Sequence, residues 1–96
     1  MQRQRRREGK ITPFILKLAQ ILDDPQHHRL ASWTPCGQAF AIHDPQLFAA
    51  SLLPKFFRHN NYGSFLRQLS FYNFNKLKTP IESVHKFQHP LFLRDE

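Results

Sequence analysis

The chain has 96 residues, 41% of them hydrophobic and 14% aromatic, enough for one small folded domain and too few for two. That composition excludes an intrinsically disordered chain, the lone Cys36 excludes an internal disulfide framework, and no run approaches the roughly 18 apolar residues of a membrane-spanning helix. Fourteen Lys and Arg against seven Asp and Glu give a net charge of +7, a balance that suits a polyanion: nucleic acid first, an anionic membrane surface second.

Residues 1–10 carry Arg3, Arg5, Arg6, Arg7 and Lys10 against Glu8 and show no hydrophobic period. We read residues 1–11 as a basic flexible arm: a solvated tail, a nuclear import signal or a phosphate-binding arm. A basic rather than apolar start sets the expectation of no secretory signal. Residues 12–94 then form the domain. Its first part is nearly neutral, whereas residues 45–94 hold seven positive charges and only Glu82.

Thr12-Pro13 opens a helix, because Thr is a good cap and Pro suits the first helical position. Phe14, Leu18 and Leu22, with Ile15 and Ile21, give it one apolar stripe. Asp23-Asp24-Pro25 ends it, since a residue before proline avoids the α region. Residues 26–29 read as a polar loop. Leu30 to Trp33 and Ala39 to His43 read as a β-hairpin around a Pro35-Cys36-Gly37 turn, with Trp33 in the core and its N–H paired. Asp44-Pro45 repeats the cap-then-proline signal. The second helix carries Phe48, Leu52 and Phe56 on one side, with Leu53 beside them, and should kink or bulge at Pro54.

Arg58 to Asn61 reads as a turn, and Asn61 can cap a third helix over roughly residues 62–73, with Gly63 the weak point of its first turn. Asn75 to Lys86 reads as strand, short loop around Thr79-Pro80, and strand. Phe87 to Pro90 leads to the closing Leu91-Phe92-Leu93. This order makes the chain an α+β domain, a winged helix-turn-helix with three helices packed on a small antiparallel β-sheet; the third helix of such a fold enters the major groove.

At ~100° per residue, Phe65, Leu66, Leu69 and Tyr72 share the buried side of that helix. Ser64, Arg67, Gln68 and Phe71 share the outward side. Those four are the candidates for base readout. The Arg67 fork can donate two hydrogen bonds to one guanine, which Lys cannot match. Phe71 is a large apolar group on an otherwise polar face, and either a thymine methyl or a partner protein would give it something to touch. Ser64 and Asn61, near the helix N-terminus, can hold a phosphate. Backbone contacts are expected from Lys55, Arg58, Asn60, Asn61, Tyr72, Lys76 and Lys78, which lie in or beside the helix in sequence.

An enzyme fits poorly. There is no phosphate loop, no nucleophile elbow and no carboxylate pair beyond Asp23-Asp24, which suit a helix end. The six histidines, His27, His28, His43, His59, His85 and His89, come with a single Cys and no C-x-x-C pair. We expect surface and turn histidines, no metal site and no cofactor. An RNA-binding module would call for an aromatic strand motif or a Gly-rich clamp, and neither occurs. The alternative to DNA binding is a winged helix that binds protein through Phe71.

Several segments together resemble the DNA-binding domain of heat shock transcription factors. They are Phe14 to Asp24, Leu30 to Gly37, the run Leu53-Pro54-Lys55-Phe56-Phe57-Arg58-His59-Asn60-Asn61, the run Ser64-Phe65-Leu66-Arg67-Gln68-Leu69 with Tyr72, and Phe87-Gln88-His89-Pro90 with Phe92-Leu93-Arg94. The resemblance spans about residues 13–94 in the family's order. It implies a nuclear transcription factor of the stress response that binds inverted GAA repeats (heat shock elements) in double-stranded DNA, away from membranes. By the same resemblance Arg67 reads the guanine of GAA, Ser64 and Asn61 support the start of the helix, and Arg58 and Lys76 touch the backbone. The family trimerises through a coiled coil after this domain, so a homotrimer is expected through a segment outside these residues. Four features depart from the family pattern. Asn73 stands where Gly is usual, Asn75 stands where a basic residue is usual, Tyr62-Gly63 replaces more hydrophobic or helix-forming residues, and the stretch from Lys76 to Phe87 is shorter than the usual wing.

Overall fold

A computed structural model describes residues 12–94. The expected arm, with Arg3, Arg5, Arg6, Arg7 and Lys10, lies outside the described residues. Helix α1 runs Pro13–Asp23, and the Thr12 hydroxyl accepts the Ile15 N–H at 3.4 Å. Leu18, Ile21 and Leu22 of its apolar stripe are buried. Asp24 then turns extended, and its carboxylate accepts the Gln26 N–H at 2.9 Å, starting a 3₁₀ turn over Pro25–His27.

That turn corrects two expectations: residues 26–29 are not wholly polar loop, and His27 is not a surface histidine. His27 is 7% exposed, donates from Nδ1 to the Ile21 carbonyl at 2.9 Å and sits edge-on to Phe56. A free carbonyl at the end of α1 and an aromatic neighbour together make burial of the imidazole favourable.

Strands β1 (Ala31–Trp33) and β2 (Ala39–Ile42) form the expected hairpin, with Trp33 opposite Phe40. Gly37 makes its turn at φ +74°, and a Cβ there would lie 3.2 Å from Arg94. Glycine is therefore required twice, by the left-handed backbone and by the chain folded over it. The Arg94 N–H donates to the Gly37 carbonyl at 2.9 Å and seats the end of the domain on this turn. Cys36 is exposed in the turn, its thiol lowered chiefly by the Thr34 hydroxyl. Trp33 donates its N–H to Asp23 at 3.1 Å, as expected, but is half-buried rather than enclosed.

Asp44 caps α2 (Pro45–Ser51) by accepting the Leu47 N–H at 3.1 Å. Pro54 has no N–H to donate, so the long helix divides at Leu52, and α3 (Leu53–Phe57) follows at once. The result is four α-helices among the described residues, the expected second helix being divided in two. Arg58 ends α3 in the left-handed region at φ 65°, a conformation that costs a non-glycine residue about 1 kcal/mol or more.

Helix α4 spans Tyr62–Phe71, two residues shorter than expected. Asn73, at φ 68°, explains the early stop. Its N–H donates to the Ser70 carbonyl and that of Phe74 to the Leu69 carbonyl, both at 2.9 Å. These are the paired bonds of a Schellman ending, closed by buried Phe74 beside buried Leu69. Asn tolerates the left-handed region better than other side chains, so it can stand where the family uses glycine.

Strands β3 (Asn75–Leu77) and β4 (His85–Gln88) complete an antiparallel sheet in the order β1-β2-β4-β3. The second strand of this hairpin begins later and runs past Lys86, because β4 pairs with β2 along Ala39–Ile42 as well as with β3. The loop between them closes on itself: the Thr79 hydroxyl lies 2.6 Å from the Ile81 carbonyl and 2.9 Å from that of Val84. One core, including Leu18, Phe40, Phe48, Leu53, Phe65 and Leu69, joins the helices to the sheet.

Candidate nucleic-acid interface

The outward face of α4 starts at its cap. The Asn61 side-chain oxygen accepts the Ser64 N–H at 2.9 Å, and the Asn61 N–H donates to His59 Nδ1 at 3.0 Å. A Cβ on Gly63 would come within 3.2 Å of the capping oxygen, so the residue that weakens the first turn also leaves room for its cap. Arg67 lies one turn on and donates from Nη2 to the Ser64 hydroxyl at 3.1 Å. Asn61, Ser64 and Arg67 thus form one chain of contacts along the first two turns. Gln68 and Phe71 are exposed beside it, and Phe65 and Leu69 are buried behind it. This is the division of faces expected from the helical period.

Both ends of the face are tied to other elements. At the start, the Tyr62 phenol and Nδ1 of His85 in β4 share a hydrogen bond of 2.7 Å. Burial pushes the phenol up, while burial and the nearby Lys76 charge hold His85 below the ordinary imidazole value, so both partners are neutral near pH 7. Later in the helix, the Tyr72 ring stacks on Phe14 of α1 with centroids 5.5 Å apart. Tyr72 is half-buried there, with part of its surface exposed.

The candidate backbone contacts surround this face. Arg58, Asn60 and Asn61 are exposed in the turn that leads into α4. Lys55 is exposed on α3, its amine 5.8 Å from the centre of the Phe56 ring. Lys76 lies opposite Phe87 in the sheet, hence on the face packed against the core, and Lys78 follows the end of β3. Lys86 lies opposite Leu77, on the other face of the sheet. Among the described residues, none of Lys55, Arg58, Arg67, Lys76 and Lys78 forms an ion pair with an acidic side chain. Their charge is available to an external anion.

The sequence reading missed Lys17. A shallow depression of about 210 Å³ between α1 and α4 brings Lys17 together with His59 and Gln68. Nothing in the sequence linked Lys17 to His59 and Gln68, 42 and 51 positions away, except that it is the only cation of α1. His85 and His89 stand four residues apart, a spacing that would bring two ligands together on a helix. On a strand it separates them by about 13 Å. Their Nδ1 atoms are engaged by the Tyr62 phenol and the Leu91 N–H, and no metal-ligating cluster occurs among the described residues.

Comparison with known proteins places this geometry. A family model described as HSF-type DNA-binding matches residues 14–96. Heat shock factor protein 1 of Homo sapiens is 39% identical over 96 aligned residues, which cover 92% of this chain and 18% of that protein. The crystal structure of Chaetomium thermophilum Skn7 with HSE DNA has a TM-score of 0.83 at 36% identity, covering 88% of this chain and 89% of that one. A heat shock transcription factor/DNA complex gives 0.75 at 28% identity, covering 83% and 96%. The chain spans about a fifth or less of the length of the curated relatives it matches.

Proposed function

This chain belongs to the heat shock factor family of DNA-binding domains, and we propose that it binds inverted GAA repeats in double-stranded DNA with α4 in the major groove. The observation that carries the reading is Arg67: exposed, on the outward face of α4, steadied by Ser64 and unpaired with any acid among the described residues. Its fork donates to O6 and N7 of the guanine of GAA. Ser64, Gln68 and Phe71 complete the reading face. Lys55, Arg58, Asn60, Asn61, Tyr72, Lys76 and Lys78 hold the phosphates on either side.

The family is one of transcription factors and not of enzymes. Its fold is found on DNA in several matched structures, the Skn7 and heat shock transcription factor complexes among them, which favours DNA over a purely protein-binding role. In the whole protein we place this domain in the nucleus, in a stress-responsive homotrimer assembled through a segment outside these residues. Adjacent copies would then occupy successive repeats.

Salt dependence tests the phosphate contacts. Replacing Lys55, Arg58, Lys76 or Lys78 by Ala should each make the negative slope of log K against log salt shallower by about 0.9, on repeat and random duplexes alike. Four unchanged slopes would remove these residues from the interface.

A further inference from the structure

We propose that Phe71 makes this domain a reader of the pyrimidine C5 methyl group on the floor of the major groove. The inference rests on the reading above, in which Arg67 meets the guanine of GAA. Among the described residues, five large apolar side chains are exposed: Leu16, Leu47, Phe71, Ile81 and Leu91. Of these, only Phe71 lies on α4, at 76% exposure and one turn beyond Arg67.

Its ring has one aromatic neighbour among the described residues. It stands edge-on to Tyr72 at 87° with centroids 5.1 Å apart, and Tyr72 in turn stacks on Phe14, which packs against the core. An aromatic side chain has only two χ angles to fix, so ordering it on a ligand costs little conformational entropy.

Spacing selects the ligand. Four helical residues advance about 6 Å, and base pairs are stacked about 3.4 Å apart. A helix lying in the groove with Arg67 on the guanine therefore carries Phe71 about two base pairs away. With α4 running toward the two pairs that follow the guanine in GAA, the orientation this proposal takes, both pairs are A·T and the complementary strand presents two thymine methyls there. Phenylalanine has no hydrogen-bonding group and cannot distinguish bases by donors and acceptors. It can distinguish a methyl from a hydrogen. Thymine and 5-methylcytosine carry the group; uracil and cytosine lack it.

The experiment is a fluorescence anisotropy titration of the full chain on repeat duplexes in which each of the two thymines is replaced in turn by uracil. One replacement should weaken binding about fourfold, the effect of one methyl withdrawn from an apolar contact. Phe71→Ala, at an exposed position that leaves the core intact, should bind the thymine and uracil duplexes equally. At the same position 5-methylcytosine should bind about fourfold tighter than cytosine to the unaltered chain and no tighter to Phe71→Ala. Indifference of the unaltered chain to uracil at both positions would overturn the proposal, as would a Phe71→Ala chain that still discriminates. If uracil has no effect while repeats are still preferred to a scrambled duplex, this inference alone fails. If no repeat preference exists, the reading beneath it fails too.

Discussion

Arg67→Ala is expected to weaken binding to inverted GAA repeats by about 1–3 kcal/mol, roughly 5- to 150-fold, and to change binding to random duplex by about twofold or less. The difference follows from what each DNA offers. On the repeat, the proposed role has the guanidinium exchange its contact with the Ser64 hydroxyl, 3.1 Å away, for two hydrogen bonds to one base edge. On random duplex only its charge contributes, and one phosphate-type contact among several is a small share of the total. Arg67→Lys should keep the charge and still lose most of the preference, because an ammonium cannot present the planar fork. Competition titrations at fixed salt would resolve the two effects. An equal loss on both duplexes would make Arg67 a backbone contact and remove it from base reading.

The largest effect on stability is expected from Phe40→Ala, about 3–5 kcal/mol. Phe40 is fully buried in β2, one of the two inner strands of the sheet. Its ring lies 5.5 Å from that of Phe87, 5.9 Å from Phe74, 6.0 Å from Phe92 and 6.5 Å from Trp33, measured between centroids. It therefore joins β1, β4, the exit of α4 and the closing segment around one point. A cavity there cannot be filled from one side without moving another element. Domains of this size have about 5–15 kcal/mol in total, so the variant would be marginal near body temperature. At about 4–8 °C per kcal/mol, its melting temperature should fall by more than 10 °C. A loss below about 1 kcal/mol in urea would show that the aromatic cluster repacks freely. Phe71→Ala, at an exposed site, should by contrast stay within about 0.5 kcal/mol of the parent.

Local chemistry was legible in the sequence. Thr12, Asp44 and Asn61 all cap the helices they were expected to cap, because each needs only its own side chain and an N–H three residues on. The faces of α4 were legible for the same reason: helical period alone separates Phe65 and Leu69 from Arg67, Gln68 and Phe71. Pro54 announced an interruption but not its form. The division at Leu52 depends on how α2 and α3 each pack.

The misses involve partners distant in the chain. His27 is buried because α1 ends in a free carbonyl and Phe56 arrives from α3, and neither shows in a Pro-Gln-His-His-Arg run. β4 begins late and extends to Gln88 because β2 lies beside it. The Tyr62–His85 bond joins residues 23 apart, and it gives a polar role to a tyrosine that had registered only as a departure from the family. Asn73, another departure, needed its backbone angle to be understood. At the interface, residue types were legible, but the sheet face of Lys76 and the approach of Lys17 to Gln68 were not.

The central claim is sequence-specific recognition, and its most direct test is the ratio of two dissociation constants. The full 96-residue chain would be titrated by fluorescence anisotropy at near-physiological salt. One duplex would carry inverted GAA repeats and the other the same bases scrambled. Binding at least about tenfold tighter to the repeats, surviving excess random competitor, is the predicted result. Equal affinity for the two duplexes would contradict the account.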